Sequence, residues 1–112
     1  MRRVVVTGLG LVTPLGVGVE TVWSRLIEGR SGLSAITAFD VSDLPCKVAG
    51  QVPRGATSDG SFDPDAYIPP KDQRKMDTFI QFAMAAALEA VTDAGWMPES
   101  EEERERTGVL IG

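Results

Sequence analysis

The chain reads as an α/β protein with a parallel strand pair. Three observations predict this. Val4-Val5-Val6 is a β-branched run without polar alternation, as expected of a strand buried on both faces. Two stretches of helical periodicity follow, at about 19–28 and about 71–94. A second apolar run, "TGVLIG" at 107–112, then begins another buried strand. The order strand, helix, excursion, helix, strand implies right-handed crossovers between parallel neighbours.

After the first strand, Gly8, Gly10, Pro14, Gly16 and Gly18 punctuate a loop. In the first helix Val19, Val22, Trp23, Leu26 and Ile27 recur at i, i+3, i+4, i+7 and i+8 and form one apolar stripe. Trp23 is expected in the core, and Gly29 stops the helix. "RSGLSAITAFDVSDLP" reads as loop with short extended pieces, and "CKVAGQV" as a short strand. "PRGATSDGSFDPDAYIPP" is rich in turn formers and reads as a surface excursion. Pro69-Pro70 then open the second helix, and Gly95 with Pro98 closes it. Its body, "MDTFIQFAMAAALEAVTDA", is apolar over more than one stripe, so it is expected to be buried on several sides. Two strands cannot cover such a helix, which marks the chain as part of a larger fold. Trp96 is expected to staple the turn beyond the helix. "PESEEERER" reads as a solvated connection.

Composition narrows the function. The net charge of −5 disfavours broad binding to nucleic acid or to anionic membranes. No apolar run reaches transmembrane length, and "MRRVVVTG" lacks a signal-peptide core, so a cytoplasmic, bacterial-type location is expected. The chain has no histidine and a single cysteine, Cys46. No Ser-His-Asp or Cys-His pair can be built from it, and zinc or iron sites of the usual type are not expected. Cys46 is expected to be a buried, structural thiol.

The glycine loop poses the sharpest choice. A dinucleotide site needs G-x-G-x-x-G opening a helix directly after the strand. Here Gly8-Leu9-Gly10-Leu11-Val12 runs into Thr13 where the last glycine is required, and Pro14 delays the helix. A phosphate-binding Gly-Lys-Ser/Thr is absent as well. The loop is therefore expected to serve turn geometry and close backbone packing, and no cofactor is assigned.

"RRVVVTGLGLVTPLG", a helix with a central Trp, "EGRSGL", "DQRKMDTFIQFAMAAALEAVTDAGW" and "TGVLIG" occur in this order across the whole chain. Together they resemble the N-terminal part of a β-ketoacyl-acyl-carrier-protein synthase, most of all the type II elongating enzyme of fatty acid synthesis. The resemblance implies that residues 1–112 are part of the N-terminal half of a thiolase-like, five-layered α-β-α-β-α fold, with the remainder absent. It implies an acyltransferase in which a cysteine takes up an acyl group and malonyl-carrier protein loses CO₂ to attack that thioester. The family's nucleophile and its two histidines lie downstream of residue 112, so this chain alone is expected to be inactive. The implied partner is acyl carrier protein, and the implied assembly is a homodimer formed by elements outside this chain.

Lys71, Arg74 and Lys75 fall at i, i+3 and i+4 and share one face if the helix is continuous. At a helix N-terminus each would oppose the macrodipole by about 0.3–1 kcal/mol, which calls for a reason outside folding. In the resembled family, basic residues at this "QRKMD" position help to dock the acidic carrier. Carried over by position, docking falls on Lys71, Arg74 and Lys75. Two alternatives stay open within the superfamily, a polyketide-type condensing enzyme and a non-catalytic chain-length partner. A stand-alone carrier-binding module is a third reading, and a dinucleotide-binding domain a distant fourth.

Overall fold

The computed structural model describes all 112 residues. The segment before residue 12 forms no helix and has no ladder partner. It leads into a hairpin of β1 (Val12–Thr13) and β2 (Gly16–Val17), antiparallel in the register Val12↔Val17 and Thr13↔Gly16. The Thr13 hydroxyl donates to the Gly16 carbonyl and accepts from the Leu15 amide, which closes the turn. Helix α1 (Val19–Ile27) follows. A second antiparallel hairpin pairs β3 (Leu33–Ala35) with β4 (Val48–Gly50). Pro14 packs against Gly32 and Gly50, where an added Cβ would lie 2.8 and 2.9 Å from its ring carbons, so the two hairpins meet through that proline.

Two 3₁₀ turns, Thr57–Asp59 and Pro64–Ala66, precede α2 (Pro70–Gln73), α3 (Thr78–Ala94) and α4 (Glu101–Glu105). The core is small. Val17, Phe62 and Ala85 are buried together, with Val12, Val52, Tyr67 and Phe82 packed around them. Phe62 stacks on Tyr67 at 5.9 Å and meets Phe82 edge-on at 4.9 Å. The Arg54 guanidinium lies over both Phe62 and Phe82. Arg25 ties this core to α1 by donating to the Leu15 and Asp59 carbonyls, 2.6 Å each.

Several expectations are corrected here. The parallel pair does not form within this chain. Val4 is 94% exposed and Leu110 98%, and neither run has a strand partner. Strand pairing is non-local, and the chain offers these runs no neighbour. The single predicted helix at 71–94 is two helices. The chain leaves the helical path after Arg74 and restarts where the Asp77 carboxylate accepts from the Thr78 amide. The turn-rich excursion holds the most buried large side chain, Phe62 at 1%, and Ile68 at 3%. The acidic run is not plain linker, because Ser100 and Glu103 form a reciprocal capping box that starts α4. Trp23 is 59% exposed, and Cys46 is exposed with its thiol donating to the Val48 carbonyl. On α3 only Ala85 is buried, while Phe79, Met84 and Leu88 face outward. Trp96 does bridge two elements, with its indole N–H donating to the Thr107 hydroxyl beyond α4.

Candidate functional site

Two segments carry the features that point to function, the glycine segment at 8–18 and the basic segment at 71–75. The glycine segment is filled by the chain itself. An added Cβ at Gly8 would lie 2.1 Å from the Ala90 carbonyl oxygen, and one at Gly10 would lie 1.9 Å from that of Ala86. Ala86, Ala90 and Ala94 are spaced at i, i+4 and i+8 on one face of α3, and Gly8 and Gly10 lie directly against it. Gly16 (φ 143°) and Gly18 (φ 93°) instead supply positive backbone angles. The loop thus needs glycine for close approach at 8 and 10, and for backbone angle at 16 and 18.

Three amide donors in and beside it are occupied too. The Asp93 carboxylate accepts from the Leu9 amide at 3.0 Å. One Glu89 oxygen accepts from the Leu11 amide at 2.9 Å, and the other accepts from the Val19 amide at 2.8 Å. Val19 is the first residue of α1, whose N-cap Gly18 has no side chain to offer. Glu89 therefore caps α1 from a distance and sits where a bound anion would sit. Glu89 and Asp93 are the two charged residues of a mostly apolar α3. A carboxylate pair at i, i+4 inside an alanine-rich helix was the available sign of this role, and sequence reasoning missed it. Burial, then the Glu89 and Asp63 charges, push the Tyr67 phenol above its ordinary pKa.

The basic segment is built differently. Pro70 opens α2 at a position where no amide is needed, and Lys71 lies inside this single turn. Arg74 is its C-cap and Lys75 lies just beyond. Lys71 thus lies within a single turn, with Arg74 and Lys75 at and just past its C-terminal end, and none of the three stands at the N-terminus of a long helix. The macrodipole cost expected there does not arise at Arg74 and Lys75, since cations are favoured at a helix C-terminus.

Two glutamines hold the segment in place. The Gln73 amide donates to Asp65 at 2.7 Å and to the Ile68 carbonyl at 2.8 Å. The Gln81 amide donates to the Gln73 and Met76 carbonyls at 3.4 and 3.3 Å. Neither glutamine carried a sequence signal, because their partners are set by the break at 74–77. Lys71, Arg74 and Lys75 are all exposed. Lys75 reaches Asp72 at 3.8 Å. Lys71 and Arg74 have no carboxylate within 4.0 Å. The structure therefore brings the three predicted docking residues onto one short exposed segment and leaves two of their charges without an internal partner.

The whole chain, residues 1–112, matches the family described as Beta-ketoacyl synthase, N-terminal domain. It is 54% identical over 112 residues to the 3-oxoacyl-[acyl-carrier-protein] synthase 2 of Rhizobium meliloti (strain 1021), covering all of this chain and 27% of that protein. It is 46% identical over 125 residues to the mitochondrial 3-oxoacyl-[acyl-carrier-protein] synthase of Arabidopsis thaliana, covering 99% of this chain and 26% of that protein. Among solved structures it is similar to the ishigamide ketosynthase/chain length factor, with a TM-score of 0.69, 38% identity, and coverage of 86% of this chain and 22% of that one. The chain spans about a quarter of the length of the curated relatives it matches.

Proposed function

The chain belongs to the β-ketoacyl synthase family, whose N-terminal domain it matches throughout, and from that membership we propose that it is the N-terminal portion of an elongating synthase of fatty acid synthesis. In the proposed reaction an enzyme cysteine, held outside these residues, carries an acyl group as a thioester. Malonyl-carrier protein loses CO₂, the resulting carbanion attacks the thioester carbonyl, and the cysteine leaves as thiolate. The product is 3-oxoacyl-carrier protein. The 54% identity to a relative named 3-oxoacyl-[acyl-carrier-protein] synthase 2 carries this reading. The 38% identity to a ketosynthase/chain length factor supports the chain-length-partner alternative less strongly.

This chain contributes scaffold and docking surface to the reaction. Cys46 is not the nucleophile in this reading. It lies in the β3–β4 connection with its thiol on a backbone carbonyl, and the chain holds no histidine to activate it. The open apolar runs Val4–Val6 and Val109–Ile111, with the outer face of α3, are read as surfaces covered by the remainder of the synthase. Lys71, Arg74 and Lys75 are read as the docking contact for the acidic carrier protein, supported by their exposure and by the two charges left unpaired. The complete enzyme is read as a cytosolic homodimer.

A condensation assay tests the reading. The complete protein, given acyl-carrier and malonyl-carrier protein, is expected to release CO₂ and 3-oxoacyl-carrier in equal amounts, and residues 1–112 alone neither. Condensation by residues 1–112 alone, or decarboxylation without the 3-oxoacyl product in the complete protein, contradicts it.

A further inference from the structure

We infer that Asp72 is a built-in competitor of the acidic partner, a carboxylate that occupies Lys75 and sets docking strength below what the three cations could give. The inference rests on the docking reading above and adds a specificity-determining residue to it. Residues 63–77 hold three cations and four carboxylates, so the segment is not basic in sum. What differs is which carboxylate lies against a cation. Asp63 accepts from the Asp65 amide, Asp65 from the Gln73 side chain, and Asp77 from the Thr78 amide. Those three keep their charge but are held on uncharged donors, none of them within 4.0 Å of a cation. Asp72 alone reaches a cation, the Lys75 ammonium at 3.8 Å.

Asp72 and Lys75 are one turn apart, with side-chain exposures of 35% and 77%. Such a pair is weak and open to water, so an incoming carboxylate can compete for Lys75. It must also approach the charge of Asp72. Both effects weaken binding of an acidic surface, and both fade as salt screens them. Lys71 and Arg74 carry no such load. The three cations are therefore unequal, with Arg74 and Lys71 dominant and Lys75 discounted.

The test measures holo acyl carrier protein binding to the complete synthase at low and moderate salt. Asp72→Asn is expected to tighten binding roughly two- to fivefold, with the gain shrinking as salt rises. Lys75→Ala is expected to cost less than Arg74→Ala. Unchanged or weaker binding by Asp72→Asn, with Arg74→Ala still weakening it, overturns the role of Asp72 and leaves docking intact. Lys75→Ala costing as much as Arg74→Ala overturns it as well, and holds even if Asp72→Asn fails to fold. Unchanged binding by Arg74→Ala and Lys71→Ala together overturns the docking reading, and the inference about Asp72 with it.

Discussion

The glycine segment at 8–18 and the basic segment at 71–75 make opposite use of the same chain. The first resembles a binding loop by motif, yet the chain itself takes up the space beside Gly8 and Gly10 and the amides of Leu9, Leu11 and Val19. Ala86 and Ala90 fill the space beside Gly8 and Gly10, and Glu89 and Asp93 occupy the amides. The second is a short charged segment with no loop or cavity of its own, yet Lys71 and Arg74 are left without a carboxylate partner. The lesson is that a site is found by asking which polar groups the fold leaves unmet.

The comparison is sharpened most by Gly10→Ala in the complete protein. Its Cβ would meet backbone 1.9 Å away, and backbone cannot swing aside as a side chain can. Unfolding measurements are expected to show a loss of about 3 kcal/mol, the range of severe overpacking. A loss under about 1 kcal/mol would mean the segment is not seated on α3. Glu89→Ala comes next. It strips the acceptor from the Leu11 and Val19 amides and is expected to destabilise by about 2 kcal/mol, with Glu89→Gln recovering part of that. If inorganic phosphate restored stability to Glu89→Ala, the α1 N-terminus would be a latent anion site after all. Gly29→Ala is the milder control. Gly29 is left-handed at φ 71° with nothing within 4 Å of an added Cβ, so only backbone strain of about 1 kcal/mol is expected.

The smallest effect is expected at α4. The amides of Ser100 and Glu99, then the Ser100 side chain, donate to Glu103 and hold its carboxyl below the usual 4.5. A depressed folded value means the capping box contributes above 4.5 and loses its contribution as pH falls through the lower folded value. NMR shifts of residues 100–106 should report α4 fraying on acidification in that window, while α3 is unmoved. An α4 that holds firm in acid would remove the capping box from the account.

Legibility in the sequence followed the range of the interactions. Helix α1 was legible nearly to its ends, at Val19–Ile27 against an expected 19–28, because stripe and glycine stop are local signals. Gly95 was legible as the end of α3 for the same reason, and it is left-handed at φ 62°. The break at 74–77 was hidden because Gln73, Arg74, Lys75 and Met76 are all good helix formers, and only the Asp77 cap argues against continuity. Phe62 was hidden by its Pro-, Gly- and Asp-rich surroundings, although two aromatics in such a stretch, Phe62 and Tyr67, are a fair anchor signal. Val4–Val6 was readable as strand-forming, but pairing depends on residues far away, and here none arrive. Lys71, Arg74 and Lys75 were readable as a cluster. Their end of the helix, and the role of Asp72, were set by the break and so were not.

The decisive comparison is the salt dependence of carrier-protein binding by the complete protein and by its Lys71→Glu/Arg74→Glu/Lys75→Glu variant. If the proposed docking holds, affinity falls by about tenfold or more at low salt, the salt dependence flattens, and thermal stability is kept. Equal affinity and equal salt dependence in the two proteins would contradict it, and would place carrier recognition on some other part of the enzyme.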